Sequence, residues 1–286
     1  MKNDLMEMLA YKRPANSKTE TMFISKYLDS VPGMKEDKAG NRIIKIGKNP
    51  DTMFSCHTDT VHSEAGFTMP EYAKGVISAN GEILGADDCA GVWLMREMIF
   101  ARRPGLYIFH RGEEIGGIGS RWVARNSLDL LTGIKCAIAL DRMGNSDIIT
   151  HMGERTCSDI FAESLAGALG IKSLKPCSGG VFTDTANYVG IVPECSNISV
   201  GYTRAHSKHE TLDVLYLENL LESLLTLETG KLDAPGFTPE YDFSESWGDG
   251  RYYEPDHDLT EYVMRNPERI ARLLMDYDLV DEAYTY

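Results

Sequence analysis

With 286 residues, 43% hydrophobic and 25% charged side chains, the chain has the make-up of a globular protein that can bury a core, which excludes general disorder. A net charge of −14 disfavours nonspecific attraction to nucleic acid or to an anionic membrane surface. The opening residues MKNDLMEMLAYKRPANSKTE lack the apolar stretch of a secretory signal, and nowhere do the roughly 18 apolar residues of a membrane span run together, so a soluble, cytoplasmic chain is expected. Six cysteines without regular spacing or a CxxC pair point to reduced thiols rather than a disulfide framework or a thiolate zinc finger.

In chain order, short apolar runs alternate with helical patterns. RIIKIG, TMFSCH, LYIFHR, KCAIALD, DIITHM and NISVGY read as strands, whereas CAGVWLMREMIFAR, SRWVARNSL, SDIFAESLAGALG and YLENLLESLLTLETG show the three- and four-residue spacing of helices. This alternation predicts an α/β fold: a mixed, largely parallel central sheet with helices on both faces. In such sheets reactive groups collect where strands end and loops begin.

Five segments at those points carry chemistry. In CHTDTVH, His57 and Asp59 lie two apart on an extended segment and share a side, so that one can ligate a metal and the other orient it; two surface polar residues are the plain alternative. LGADDCAG sets Asp87 and Asp88 before a helix, where they could equally be capping residues. HRGEEIGGIGS pairs Glu113 and Glu114 at a strand end, as a solvated charged turn also would. ALDRMG ends a buried apolar strand with Asp141, an unusual place for a charge unless it is paired or bound to a metal. GYTRAHSKHE places His206 after a strand and ahead of a helix.

The order His, Asp-Asp, Glu-Glu, Asp, His in one α/β chain resembles the co-catalytic dinuclear zinc exopeptidases, the superfamily that includes bacterial leucyl aminopeptidases, peptidase T and glutamate carboxypeptidases. The resemblance spans roughly residues 25–230. It implies that His57 and Glu114 ligate different zinc ions, that Asp87 bridges the two, and that Asp141 and His206 complete the shells. It further implies that Glu113 is the general base, that Asp59 is the outer partner of His57, and that the Asp87–Asp88 peptide is often cis. Thirty positions separate His57 from Asp87 and 65 separate Asp141 from His206, which leaves no room for the lid domain that many members insert. The layout is therefore similar to that of the lidless, single-domain aminopeptidases.

Imidazole and carboxylate donors without thiolates suit an open catalytic zinc site, with Co2+ or Mn2+ as other candidate metals. The expected function is hydrolysis of an amide bond in a peptide by an aminopeptidase-like exopeptidase. A carboxypeptidase or a deacylase acting on an acyl amino acid is the alternative, as is a noncatalytic metal-binding homologue, against which the retained Glu113 argues. CSGGVFTDTANY resembles the family's active-site loop and puts Asp184 near a substrate amine, or makes it a turn cap. Arg142 and Arg204 flank proposed ligands and can grip a substrate carboxylate or pair with nearby acids. Cys56 and Cys89 read as buried small residues rather than nucleophiles.

A boundary is expected near Gly230, giving a catalytic domain over 1–230 and an appendage over 231–286. The last 56 positions hold 14 acidic and 5 basic residues, nine of the fourteen excess negative charges, and 10 of the 26 aromatics. So many rings argue against a free acidic tail. The expectation is an extended strap followed by a helix over PERIARLLMDY, folded back on the catalytic domain or on a second subunit of a homo-oligomer.

Overall fold

The structure, a computed structural model, describes residues 2–237. An eight-stranded sheet forms the centre, in the spatial order Lys175–Cys177, Asp147–Ile149, Glu194–Ser199, Cys136–Arg142, Thr52–His57, Gly105–His110, Arg42–Ile46 and Lys35–Glu36. The four middle strands run parallel to their neighbours, and antiparallel pairings flank them on either side. This is the mixed, largely parallel sheet that the sequence predicts.

The middle strands are apolar because helices cover both faces of the sheet. Thr52–His57 and Gly105–His110 are buried along their whole length. Alternate side chains go to opposite faces: Phe54, Tyr107 and Ile138 join the core that contains Trp93, whereas Met53, Leu106, Ile108 and Ala137 join Val123 and Tyr188 in the other. The helices Ala86–Phe100, Ile118–Asn126, Asp159–Leu169 and Val214–Thr226 match the predicted segments. Within the first of them, Asp87 and Asp88 are not helical, so the regular helix begins at Cys89.

Three differences matter for the site. DIITHM is a strand only over Asp147–Ile149; the chain then turns away, and His151–Met152 pairs with Glu154–Arg155. NISVGY divides too, since Tyr202–Thr203 leaves the central sheet for a second, four-stranded antiparallel one with Thr211–Asp213, Val76–Ala79 and Pro70–Ala73. His206 therefore sits in a hairpin loop of this small sheet, and a strand intervenes before the next helix. Two further helices, Lys2–Leu9 and Lys18–Tyr27, precede the first central strand.

The compact unit continues past Gly230 through the last described residues. Leu232 and Ala234 pack on the core, and Gly236 donates its N–H to the buried Glu194 at 2.9 Å. The rest of the expected strap and the whole of the expected terminal helix lie outside the described residues. Among the described residues, no helix is long and apolar enough to cross a membrane.

Candidate metal centre

The site lies at the carboxyl ends of the parallel strands. His57 closes one of them with its side chain 1% exposed. Its Nε2 stands 3.1 Å from Asp87 Oδ1 and 3.5 Å from Asp141 Oδ1, and the three side chains could hold one cation. The other oxygen of Asp87 faces His206: Oδ2 lies 3.1 Å from His206 Nε2, which is itself 3.3 Å from Glu114 Oε1. Asp87, Glu114 and His206 could hold a second cation. All five expected ligands thus converge in two triads that share the Asp87 carboxylate.

Local structure explains each placement. Asp87 follows a corner at Gly85, where φ is +69° and a Cβ would meet the His62 ring at 3.0 Å and Thr60 at 3.2 Å, so a side chain would be both strained and crowded. The Asp87–Asp88 peptide is cis. Asp88 is buried and points away from the triads, its carboxylate accepting the N–H groups of His57 at 3.2 Å and Gly91 at 2.9 Å. Asp141 is fixed on all sides: Thr183 donates to Oδ2 at 2.7 Å, Tyr202 to Oδ1 at 3.2 Å, and the Asn197 side chain exchanges hydrogen bonds with its backbone.

Asp59 is fully buried beside His57, and it serves two elements. One oxygen is 3.5 Å from His57 Nδ1, which also lies 3.1 Å from the Asp59 backbone carbonyl. The same carboxylate accepts the N–H groups of Gly112, Glu113 and Glu114 at 3.1 to 3.2 Å and so fixes the glutamate loop.

The electrostatics favour added positive charge. Burial opposes ionisation of Asp87, but the His206 and His57 imidazoles on its two oxygens outweigh it and hold the carboxyl well below the usual range. The Asp87 and Glu114 carboxylates close to its ring push His206 up to about 10. His57 is raised as well, since the carboxylates around it, Asp141 foremost, outweigh its burial. Glu113, not a member of either triad, is pushed up to about 9 by burial and by the neighbouring acids, with His57 opposing. Four crowded acids, and imidazoles drawn toward protonation, suit a pair of divalent cations. Glu114 Oε1, which is buried and lacks a well-formed hydrogen bond, suits them too.

The remaining expected residues fall differently. Asp184 begins the turn Asp184–Tyr188 and is buried, with Oδ2 at 3.3 Å from His110 Nδ1 but in neither case aligned for a hydrogen bond. Burial pushes its carboxyl up to about 7. The Arg142 guanidinium is bound by Asp147 at 3.0 Å and by the Gly179 carbonyl at 3.1 Å, the pairing with a nearby acid that the sequence left open. Arg204 is exposed in the His206 hairpin. Sequence reasoning missed Glu210, whose buried carboxylate accepts the N–H groups of Leu84, Gly85 and Asp87. It also missed Arg13, Thr183, Asn197 and Tyr202; Thr183, Tyr202 and Glu210 lie within the quoted motifs, whereas Arg13 stands near none of them.

The chain shares its fold with solved aminopeptidases, and at the carboxyl edge of its sheet imidazole and carboxylate side chains gather in two triads. No family model matches the sequence, and no curated protein does. Solved structures are similar throughout the described part. Aminopeptidase PepT from Bacillus cereus is 18% identical with a TM-score of 0.63, covering 80% of this chain and 98% of its own. A tripeptidase from Staphylococcus aureus is 16% identical with a TM-score of 0.63, covering 79% and 96%. The TET1 peptidase of Pyrococcus horikoshii, which can assemble into a tetrahedron or a large octahedral shell, is 16% identical with a TM-score of 0.61, covering 78% and 99%.

Proposed function

We propose that this chain is a metal-dependent peptidase of exopeptidase type that holds two zinc ions, one by His57, Asp141 and Asp87 and the other by Asp87, Glu114 and His206. The observation that carries the reading is the Asp87 carboxylate, which offers one oxygen to each imidazole at the same 3.1 Å. When bound, such a pair supplies a positive field for the developing oxyanion and a water of lowered pKa.

The protein's own residues do the rest. Glu113 is the general base that takes a proton from the attacking water and returns it to the departing amine. Its burial supports that role, because a carboxylate withdrawn from solvent is a stronger base than a free one. Asp59 holds both His57 and the Glu113 loop in place. Asp184 is assigned to the substrate amine, supported by its buried and unsatisfied carboxylate. The engagement of Arg142 with Asp147 supports a structural role for it, and leaves Arg204 as the guanidinium open to solvent. That exposure favours a second reading, in which the carboxyl end of a peptide or acyl amino acid is recognised. Self-association is part of the proposal and is supported by the assembly of the TET1 peptidase.

Zinc content per chain, measured for the wild type and for Asp87→Ala, tests the reading together with a panel of aminoacyl amides and acyl amino acids. Two ions in the wild type, near zero in the variant, and turnover of at least one substrate class are expected. Full zinc retention by Asp87→Ala, or a zinc-loaded wild type inert on the whole panel, would overturn it.

A further inference from the structure

The corner that delivers Asp87 is gripped from two sides by buried charges. Glu210 is 1% exposed, and among the described residues the hydrogen bonds of its carboxylate go to this corner: Oε2 accepts Leu84 N–H at 3.1 Å and Gly85 N–H at 2.8 Å, and Oε1 accepts Asp87 N–H at 2.9 Å. On the other side Arg13 is 0% exposed, and its Nη2 donates to the Gly85 carbonyl at 3.3 Å while Nε donates to the Thr58 carbonyl at 2.8 Å. Among the described residues Arg13 forms no ion pair. Both ions therefore face peptide groups, one the N–H and the other the C=O of Gly85.

Withdrawing a full charge from water is unfavourable unless specific groups replace the lost hydration. A neutral cap would suffice for a turn whose only task was to start a helix. The placement of the two ions gives them another task. Glu210 stands four residues after His206 in the same hairpin loop, and it takes the amide of the very residue whose carboxylate faces His206. Arg13 joins the same corner to the residue after His57. The two charges thereby set the spacing between the Asp87 corner and the segments bearing each histidine.

We propose that Glu210 is a positioning residue for the shared carboxylate Asp87, with Arg13 acting on the opposite side of the corner. This rests on the two-zinc reading above. Outer groups that orient ligands typically change metal affinity by roughly 10- to 100-fold when altered.

Glu194 provides an internal control. It too is 0% exposed and accepts three hydrogen bonds, from Ser158 N–H at 2.6 Å, Ser158 hydroxyl at 2.7 Å and Gly236 N–H at 2.9 Å, and none of these partners belongs to either triad. The experiment is competition of the full-length protein for zinc against a chromophoric chelator, with thermal melting of the zinc-free protein in parallel. Glu210→Gln keeps the volume but turns an NH2 group toward an N–H donor. It is expected to weaken at least one zinc ion by roughly 10- to 100-fold. Glu194→Gln is expected to lower the zinc-free melting temperature at least as much while binding both ions as the wild type does. Arg13→Lys, which keeps the charge but loses the two-armed grip, gives a second variant expected to weaken zinc in the same direction. Wild-type affinity for both ions in Glu210→Gln, or an equal loss in Glu194→Gln, overturns the inference and leaves the two-zinc reading standing. A wild type that takes up no zinc overturns both.

Discussion

Asp59 accepts the backbone N–H of Glu113 at 3.1 Å through the same oxygen that stands 3.5 Å from His57 Nδ1. One carboxylate thus sets the orientation of an expected ligand and the position of the expected general base. Asp59→Asn replaces one acceptor oxygen by a donor, which must face either the glutamate-loop N–H groups or the imidazole. A loss of roughly 10- to 100-fold in kcat/KM is expected, with weaker zinc binding alongside it. Steady-state kinetics and zinc titration on the same preparation check this, and wild-type values for both would remove Asp59 from the machinery.

The adjacent glutamates should separate cleanly. Glu113→Gln is expected to keep zinc and the fold but to lower kcat by about 10²- to 10⁴-fold, the usual range for a missing acid-base group. Glu114→Ala is expected to lose zinc from the triad that includes His206. Zinc analysis beside kcat distinguishes the two, and the opposite pattern would exchange their roles.

Gly91 sets helix propensity against packing. Alanine is favoured over glycine in a helix by about 1 kcal/mol. At this position, however, a Cβ would lie 2.2 Å from the Leu140 carbonyl oxygen and 2.6 Å from Asp88 Oδ1, a backbone atom and a buried carboxylate that have little room to yield. The overlap should win, and Gly91→Ala is expected to destabilise by roughly 1–3 kcal/mol. Urea unfolding gives the sign directly; a stabilised variant would show that the helix can lift off the sheet without cost.

His62 should give the fold an acid limb that is independent of metal. Its Nδ1 and Nε2 lie 2.8 Å from Thr60 Oγ1 and 3.0 Å from the Ile83 carbonyl, an arrangement met by the neutral ring protonated on Nε2. Burial pushes its pKa down from 6.5 to about 4, and Arg13 and Lys12 add to the shift. Because the folded value is the lower one, the unfolded chain binds the proton first as pH falls. The stabilisation is complete above pH 6.5 and is lost between there and about 4. In the zinc-free protein, His62→Gln should flatten the stability profile over that window, whereas parallel profiles would show that His62 titrates normally.

His57, Asp87, Glu114 and Asp141 are legible because each follows an apolar strand or a glycine corner, and a charge at the end of a buried run needs a partner, whereas His206 is legible only from the order of the motifs. Glu210 and Arg13 carry no comparable local signal. What makes them matter is contact across sequence separations of 125 and 72 residues. The helix Lys18–Tyr27 was signalled but unread: Ser17 Oγ accepts Glu20 N–H at 3.1 Å and Glu20 accepts Asn16 N–H at 2.7 Å, a variant of the capping box. Pro70–Ala73 was hard to see because it begins with proline at an edge of its sheet and is mostly exposed, so it lacks apolar alternation. NISVGY divides between two sheets because Tyr202 and Thr203 pair with Leu212 and Thr211, a partner choice that no periodicity reveals.

The two histidines differ sharply in their access to solvent, with 52% of the His206 side chain exposed against 1% for His57. On the two-zinc reading, an ion beside His206 would meet solvent directly and one beside His57 would not, so a chelator is expected to strip the His206 side first.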